Sequence, residues 1–204
     1  MKAISPELHF SIEEATLAEN VSWLLTKHTI IQKVYRLFGA LSEEYQTLLA
    51  AYPRLLPEEV IAISPKIYKG EQYRLLPYVM MDFPRYFSRS GTLAIRSLFW
   101  WGNHFSVHLV LGGKYKMQYE AALEAGIPHL TPHEWYVQTT GNPWEHHFEE
   151  DNYLPLNNSA PGLLSGKEDY LKLATLLPVS RHNEASSFFS ASFKTLLQIL
   201  NSDQ

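Results

Sequence analysis

The stretch from Leu75 to Tyr115 constrains the fold more than any other part of the chain. It reads LLPYVMMDFPRYFSRSGTLAIRSLFWWGNHFSVHLVLGGKY, and apolar and polar residues alternate through much of it. Alternation at a period of two marks a strand with two unlike faces. Three consecutive antiparallel strands are expected, at Tyr78–Asp82, Thr92–Trp101 and His104–Leu111. Pro77 cannot donate a ladder hydrogen bond, so it belongs at a strand start or on an edge.

The connection at Trp101-Gly102-Asn103-His104 decides which side chains share a face. A two-residue loop would pair Trp101 with His104 and mix apolar and charged residues on both faces. A three-residue loop pairs Trp100 with His104 and puts Asn103 in a left-handed position. It then gathers Leu93, Ile95, Ser97, Phe99, Phe105, Val107, Leu109 and Leu111 on one face. The other face holds Arg96, Leu98, Trp100, His104, Ser106 and His108. This register is the expected one. It sets Arg96 opposite His108, which disfavours the imidazolium.

Helices are expected on both sides of this sheet. Ser11-Ile12-Glu13-Glu14 fits a capping box, and Leu17, Val21, Leu24 and Leu25 follow at helical spacing. Further helices are expected over Thr29–Phe38, from Ser42 to Tyr52, and shortly after Pro57. After the sheet, cap signals predict helices at Tyr115–Ala125, from Thr131 to Thr139, from Asn142 and from Ser165, with a last one over Glu184–Leu200. The fold class expected is α+β: a central antiparallel meander flanked by an N-terminal helical bundle and C-terminal helices. Residues 1–204 form one domain in this reading: 1–65 helical, 66–116 sheet, 117–204 mainly helical. The turn-rich segment Asp151–Ser165 is a candidate lid or surface loop.

Composition removes several chemistries. The chain has no cysteine, which excludes disulfides, thiolate catalysis and cysteine-bound metal. There is no Gly-x-Ser-x-Gly, no P-loop and no Gly-x-Gly-x-x-Gly. The net charge is −4 but is unevenly spread: residues 66–116 hold 8 basic and 2 acidic groups, and residues 117–151 hold 7 acids and no Lys or Arg. The two segments are expected to pack together. With no basic run, nucleic acid is not an expected partner. Neither a membrane span nor a secretory signal is evident, so a cytoplasmic protein is expected.

The histidines invite a metal reading that the spacing does not support. On a strand His104 and His108 stand about 13 Å apart, too far for one ion. His129 and His133 straddle Pro132. His146 and His147 diverge, so only one can face a given site. A mixed site of His104 with His146 or His147 and a Glu stays open. No metal and no cofactor are expected.

Two functional readings remain. In the first, Arg96, Trp100, His104, Ser106 and His108, with Arg85 nearby, bind a small anionic or other small ligand, or serve a protein interaction. In the second, a hydrolase or transferase uses His104 or His108, oriented by Asp82, with Arg85 or Arg96 as an anion clamp. Oligomeric state is not legible.

The stretches Leu76–Ser88 (LPYVMMDFPRYFS) and Phe99–Ser106 (FWWGNHFS) resemble a group of uncharacterised bacterial proteins. The resemblance implies a bacterial cytoplasmic protein of unassigned activity. It transfers no catalytic residue, cofactor or substrate.

Overall fold

The computed structural model describes residues 9–130, 134–156 and 169–201. The expected helix starts at Thr131 and Ser165, and the larger part of the Asp151–Ser165 loop, lie outside these residues.

An additional strand, β1 (Lys66–Tyr73), precedes the alternating stretch, which forms the three expected strands: β2 (Leu76–Phe87), β3 (Gly91–Trp100) and β4 (His104–Gly113). Three more follow at β5 (Trp135–Gln138), β6 (Tyr153–Pro155) and β7 (Tyr170–Pro178). They make one seven-stranded sheet in the order β1-β2-β3-β4-β7-β5-β6, and every described pairing is antiparallel. The protein is therefore α+β around a central antiparallel sheet. Among the described residues, no helix is long and apolar enough to cross a membrane.

The β3–β4 register is the three-residue one. Trp100 pairs with His104, Arg96 with His108 and Leu93 with Leu111. The left-handed residue of the loop is Gly102 (φ 76°) rather than Asn103. Asn103 instead donates from Nδ2 to the Trp101 carbonyl. Leu93, Ile95, Phe99, Phe105, Val107, Leu109 and Leu111 join the main core, as the pattern required.

Helices close that face. After α1 (Ile12–Glu19), which buries no residue, they are α2 (Val21–Ala50), α3 (Glu58–Ile61), α4 (Lys114–Leu130) and α5 (Ala185–Leu200), with a 3-10 turn over Val179–Glu184 before α5. The last helix presents Phe189, Phe193, Leu196, Leu197 and Leu200 inward, as its spacing predicts. Tyr45 of α2 stacks on Phe193 at 3.7 Å, and its hydroxyl donates to the Phe189 carbonyl at 3.1 Å.

Element boundaries differ from expectation in several places. The capping box at Ser11 forms, but Asn20 ends the first helix and caps the second. The two helices expected at Thr29–Phe38 and Ser42–Tyr52 are one helix, since a single Gly39 costs only about 1 kcal/mol against its neighbours' packing. Leu17, Val21, Leu24 and Leu25 do not face a core: they are 46–62% exposed, and α2 is buried only from Ile31 onward. Among the described residues after Lys116, helices are interrupted by three strands. The helices expected near Thr139 and from Ser165 are replaced there by β5 and β7, while Asn142–Asp151 is irregular. In β7 the alternation Leu171, Leu173, Thr175, Leu177 feeds the core face, and tertiary pairing with β4 and β5 overrides local cap signals.

The β1–β2 turn is strained, because Arg74 (φ 47°) and Leu75 (φ 62°) both adopt the left-handed region. Leu75 is 84% exposed, so its side chain offsets little of that cost. Leu75→Gly is expected to raise the unfolding free energy by about 0.5–1 kcal/mol, read as a shifted urea midpoint at constant slope.

Candidate functional site: a buried polar network under an irregular cover

The second face of the sheet is also shut, though not by a helix. All ten residues of β3 are buried. The cover is the β5–β6 connection, residues 139–152, which folds back over the face. Asn152 organises it: Nδ2 donates to the His147 carbonyl, and Oδ1 accepts from Gln138 Nε2 and Thr140 Oγ1. From β1 the Tyr73 hydroxyl accepts the backbone N–H groups of His146 (2.6 Å) and His147 (3.0 Å). Phe148 then lies edge-on to His104 and stacks on Tyr153.

Beneath this cover lie the charges. Asp82 sits opposite Arg96 in the β2–β3 register. Its Oδ1 accepts Arg96 Nε at 2.7 Å, and its Oδ2 accepts Nη2 at 3.0 Å and the Tyr68 hydroxyl at 3.2 Å. The pair is bidentate and almost fully buried. The acid that neutralises Arg96 is thus a strand neighbour, not a member of the acidic segment 117–151. That segment meets Arg74 instead, through Glu149 and Asp151.

Proton accounting carries the network further. Arg96 Nη1 lies 3.4 Å from His146 Nε2. An arginine only donates, so Nε2 holds a lone pair and Nδ1 holds the ring proton. Nδ1 faces Lys172 Nζ at 3.1 Å. Lys172 must therefore accept, which requires a neutral amine. Its two remaining N–H groups meet the carbonyls of Pro143 and Glu145. A neutral amine has two donors and one lone pair, and all three are satisfied. Burial holds the Lys172 amine well below the usual lysine value, and the Arg96 charge adds to this.

The three inner histidines are held neutral in the same way. Burial pushes His104 down to about 4. His108 and His146 are pushed well below the usual imidazole range, above all by burial. Arg96 lowers His108 as the cross-strand pairing predicts, but it is a smaller cause than burial. His108 Nε2 lies 2.8 Å from Ser106 Oγ and Nδ1 lies 3.1 Å from the Tyr153 hydroxyl.

These contacts revise the expected site. Asp82 engages Arg96 and Tyr68 and orients neither His104 nor His108, so the expected carboxylate–histidine pair is not formed. Ser106 and His108 are fully buried, and Trp100 Nε1 and His104 Nε2 are buried with no hydrogen-bond partner among the described residues. Arg85 is elsewhere: a register shift follows Asp82, and its Nε donates to the Ser64 carbonyl. Of the expected ligand-binding residues, Arg96 alone lines the cavity of about 500 Å³ that opens at the β1 side. The other walls include Tyr68, Tyr73, Tyr78, Trp144 and His146. Lys172 was the main omission of the sequence reading. A lone Lys inside the alternating run Leu171–Leu177 is the signal that could have found it.

No family model, no curated protein and no solved structure matches the chain.

The protonation pattern fixes an unusual pH dependence. Lys172 has a native value below its unfolded one of about 10.5, so the unfolded chain binds a proton that the native chain lacks. Stability then increases as pH rises toward that unfolded value. The buried tyrosines oppose this only where their unfolded forms ionise, near 10. Toward acid, stability drops as pH falls below the unfolded histidine value of about 6.5, and continues to drop toward the native His104 value of about 4. Urea unfolding across pH reads both limbs. Lys172→Met should abolish the alkaline slope and leave the acid limb.

Proposed function

We propose that the protein is a small-molecule binding module whose site is the aromatic-walled cavity over Arg96. The observation that carries this reading is the unfinished hydrogen bonding of Arg96. Three of its N–H groups meet Asp82 and His146. A guanidinium has five, so two remain without a partner among the described residues. Both belong to a side chain that lines the cavity.

The walls suit a flat ligand. Tyr68, Tyr73 and Tyr78 line one side, and Gly70 allows the Tyr78 ring to lie against the backbone, since a Cβ there would stand 2.6 Å from it. Trp144 lies over the Arg96 guanidinium with its ring centre 5.4 Å from Cζ, and it is 54% exposed. Asp82 neutralises the Arg96 charge, while Lys172 and His146 add none. The matching ligand is then an uncharged acceptor on a planar ring, such as an aromatic amide or a purine, in preference to a phosphate.

Benzamide, nicotinamide and adenine serve as probes, with benzoate and inorganic phosphate as charged comparisons. At about 100-fold excess over Kd, an uncharged probe should raise Tm by roughly 5–10 °C. It should also quench tryptophan fluorescence. Trp144→Ala, at an exposed position, should remove the shift while leaving the ligand-free Tm unchanged. A shift confined to phosphate, or one that survives Trp144→Ala, would sink the assignment.

A further inference from the structure

Helix α2 begins before the body of the protein does. All six residues of its first stretch, 21–26, are exposed, and burial starts only at Ile31. An ion pair from Lys27 to Glu71 of β1, at 2.9 Å, ties the helix to the sheet edge. Ahead of it, α1 is eight residues long and buries none of them. A helix so short that packs on nothing is marginal in water, even with the capping box at Ser11. This arm nonetheless exposes Ile12, Leu17, Val21, Trp23, Leu24 and Leu25. Single apolar residues on a surface need no explanation, but six on one arm mark a contact.

The exposed residues do not merely prolong the buried stripe of α2. Each residue turns about 100° around a helix. Ile31, Val34, Phe38 and Tyr45 hold the side that meets the core. Val21, Leu25 and His28 lie on a second side, roughly 120° away, and Leu24 stands between the two. Further along, that second side is polar, with Gln32, Arg36, Glu43 and Gln46. Its apolar part is confined to the arm.

Charge is segregated along the same stretch. Residues 10–20 carry Glu13, Glu14 and Glu19 and no Lys or Arg. Residues 21–40 carry Lys27, Lys33 and Arg36 and no Asp or Glu. Acid precedes the apolar residues and base follows them. Such an order is complementary to its own reverse: two copies laid antiparallel put each acidic end beside the other's basic stretch. An anionic lipid surface is the wrong match, since three acids stand ahead of the first base.

We propose that the arm is a homodimer contact, in which α2 of one copy crosses α2 of a second, antiparallel, at Leu24 and Leu25. A two-fold axis there sets Leu24 against Leu25 and Val21 against His28. It directs the end that carries Glu13 and Glu19 toward Lys33 and Arg36 of the other copy. The crossing gives the exposed turns of α2 the packing that their own chain does not supply among the described residues.

The test is sedimentation equilibrium of the full chain from about 1 μM to about 0.1 mM. The expected result is a mass that rises with concentration from 23.5 kDa toward twice that value. Leu25→Glu, at an exposed position, should weaken the dimer by about 100-fold or more while preserving the circular-dichroism spectrum and Tm of the dilute chain. Glu13→Lys with Glu19→Lys should also weaken it, and adding Lys33→Glu with Arg36→Glu to the same chain should restore it. That rescue separates a second copy, which carries both changes, from any other partner. A chain that stays monomeric to about 0.1 mM, or a dimer that Leu25→Glu leaves intact, would overturn the proposal. A charge reversal without effect, or without rescue, would overturn the antiparallel order. Flotation of a monomeric chain with phosphatidylcholine vesicles would assign the arm to a lipid surface instead.

Discussion

The Asp82–Arg96 ion pair is the constraint on which the rest of the polar face depends. Two full charges are taken out of water together, and that is tolerable only because the geometry is bidentate and Tyr68 supplies a third bond. Once Arg96 is held, its Nη1 fixes the tautomer of His146. His146 then fixes Lys172 as an acceptor, and Lys172 fastens the carbonyls of Pro143 and Glu145. One strand-to-strand pair therefore reaches the cover through a chain of proton positions. The buried interior carries one positive and one negative charge and otherwise neutral groups, the arrangement with the smallest desolvation cost.

The same pair locks the register. Asp82 opposes Arg96 across β2–β3, and Arg96 opposes His108 across β3–β4. A slip of one residue would drive the guanidinium into the apolar layer and expose Phe105, Val107 and Leu109 to the polar side. Apolar patterning and ion pairing thus demand one alignment, and agreement between levels is what gives a sequence a single fold.

That agreement explains what could be read without coordinates. The β3–β4 register, the division of its faces, the inward side of α5 and the capping box at Ser11 all follow from local pattern. The exposed Leu24 and Leu25 do not, because helical spacing says which residues share a side and not whether anything covers it. Strand β7 was hidden because Lys172 interrupts an apolar run, and its amine is accommodated by carbonyls some 27–29 residues away in sequence. The partner of Arg96 was missed for a related reason. Charge counts along the chain point to the acidic segment, whereas the pairing that matters is set by β2–β3 alignment. The cover has no periodicity at all, so neither the walls of the Arg96 cavity nor the closure of Ser106 and His108 was legible.

The cover holds so many polar contacts because it is irregular. A strand fixes side chains at alternating positions and spends its backbone groups on the ladder. Residues 139–152 instead offer carbonyls to Lys172 and N–H groups to Tyr73, and adjacent histidines can turn to opposite sides. His146 looks inward to Arg96 and Lys172; His147 looks outward to Glu149 and Asp151. Tyr73 joins the two, since its hydroxyl accepts both backbone N–H groups while its ring walls the Arg96 cavity. A shift of that ring must therefore move, or break with, the peptide groups that aim both histidines, and the cover and the Arg96 cavity share one mechanical support.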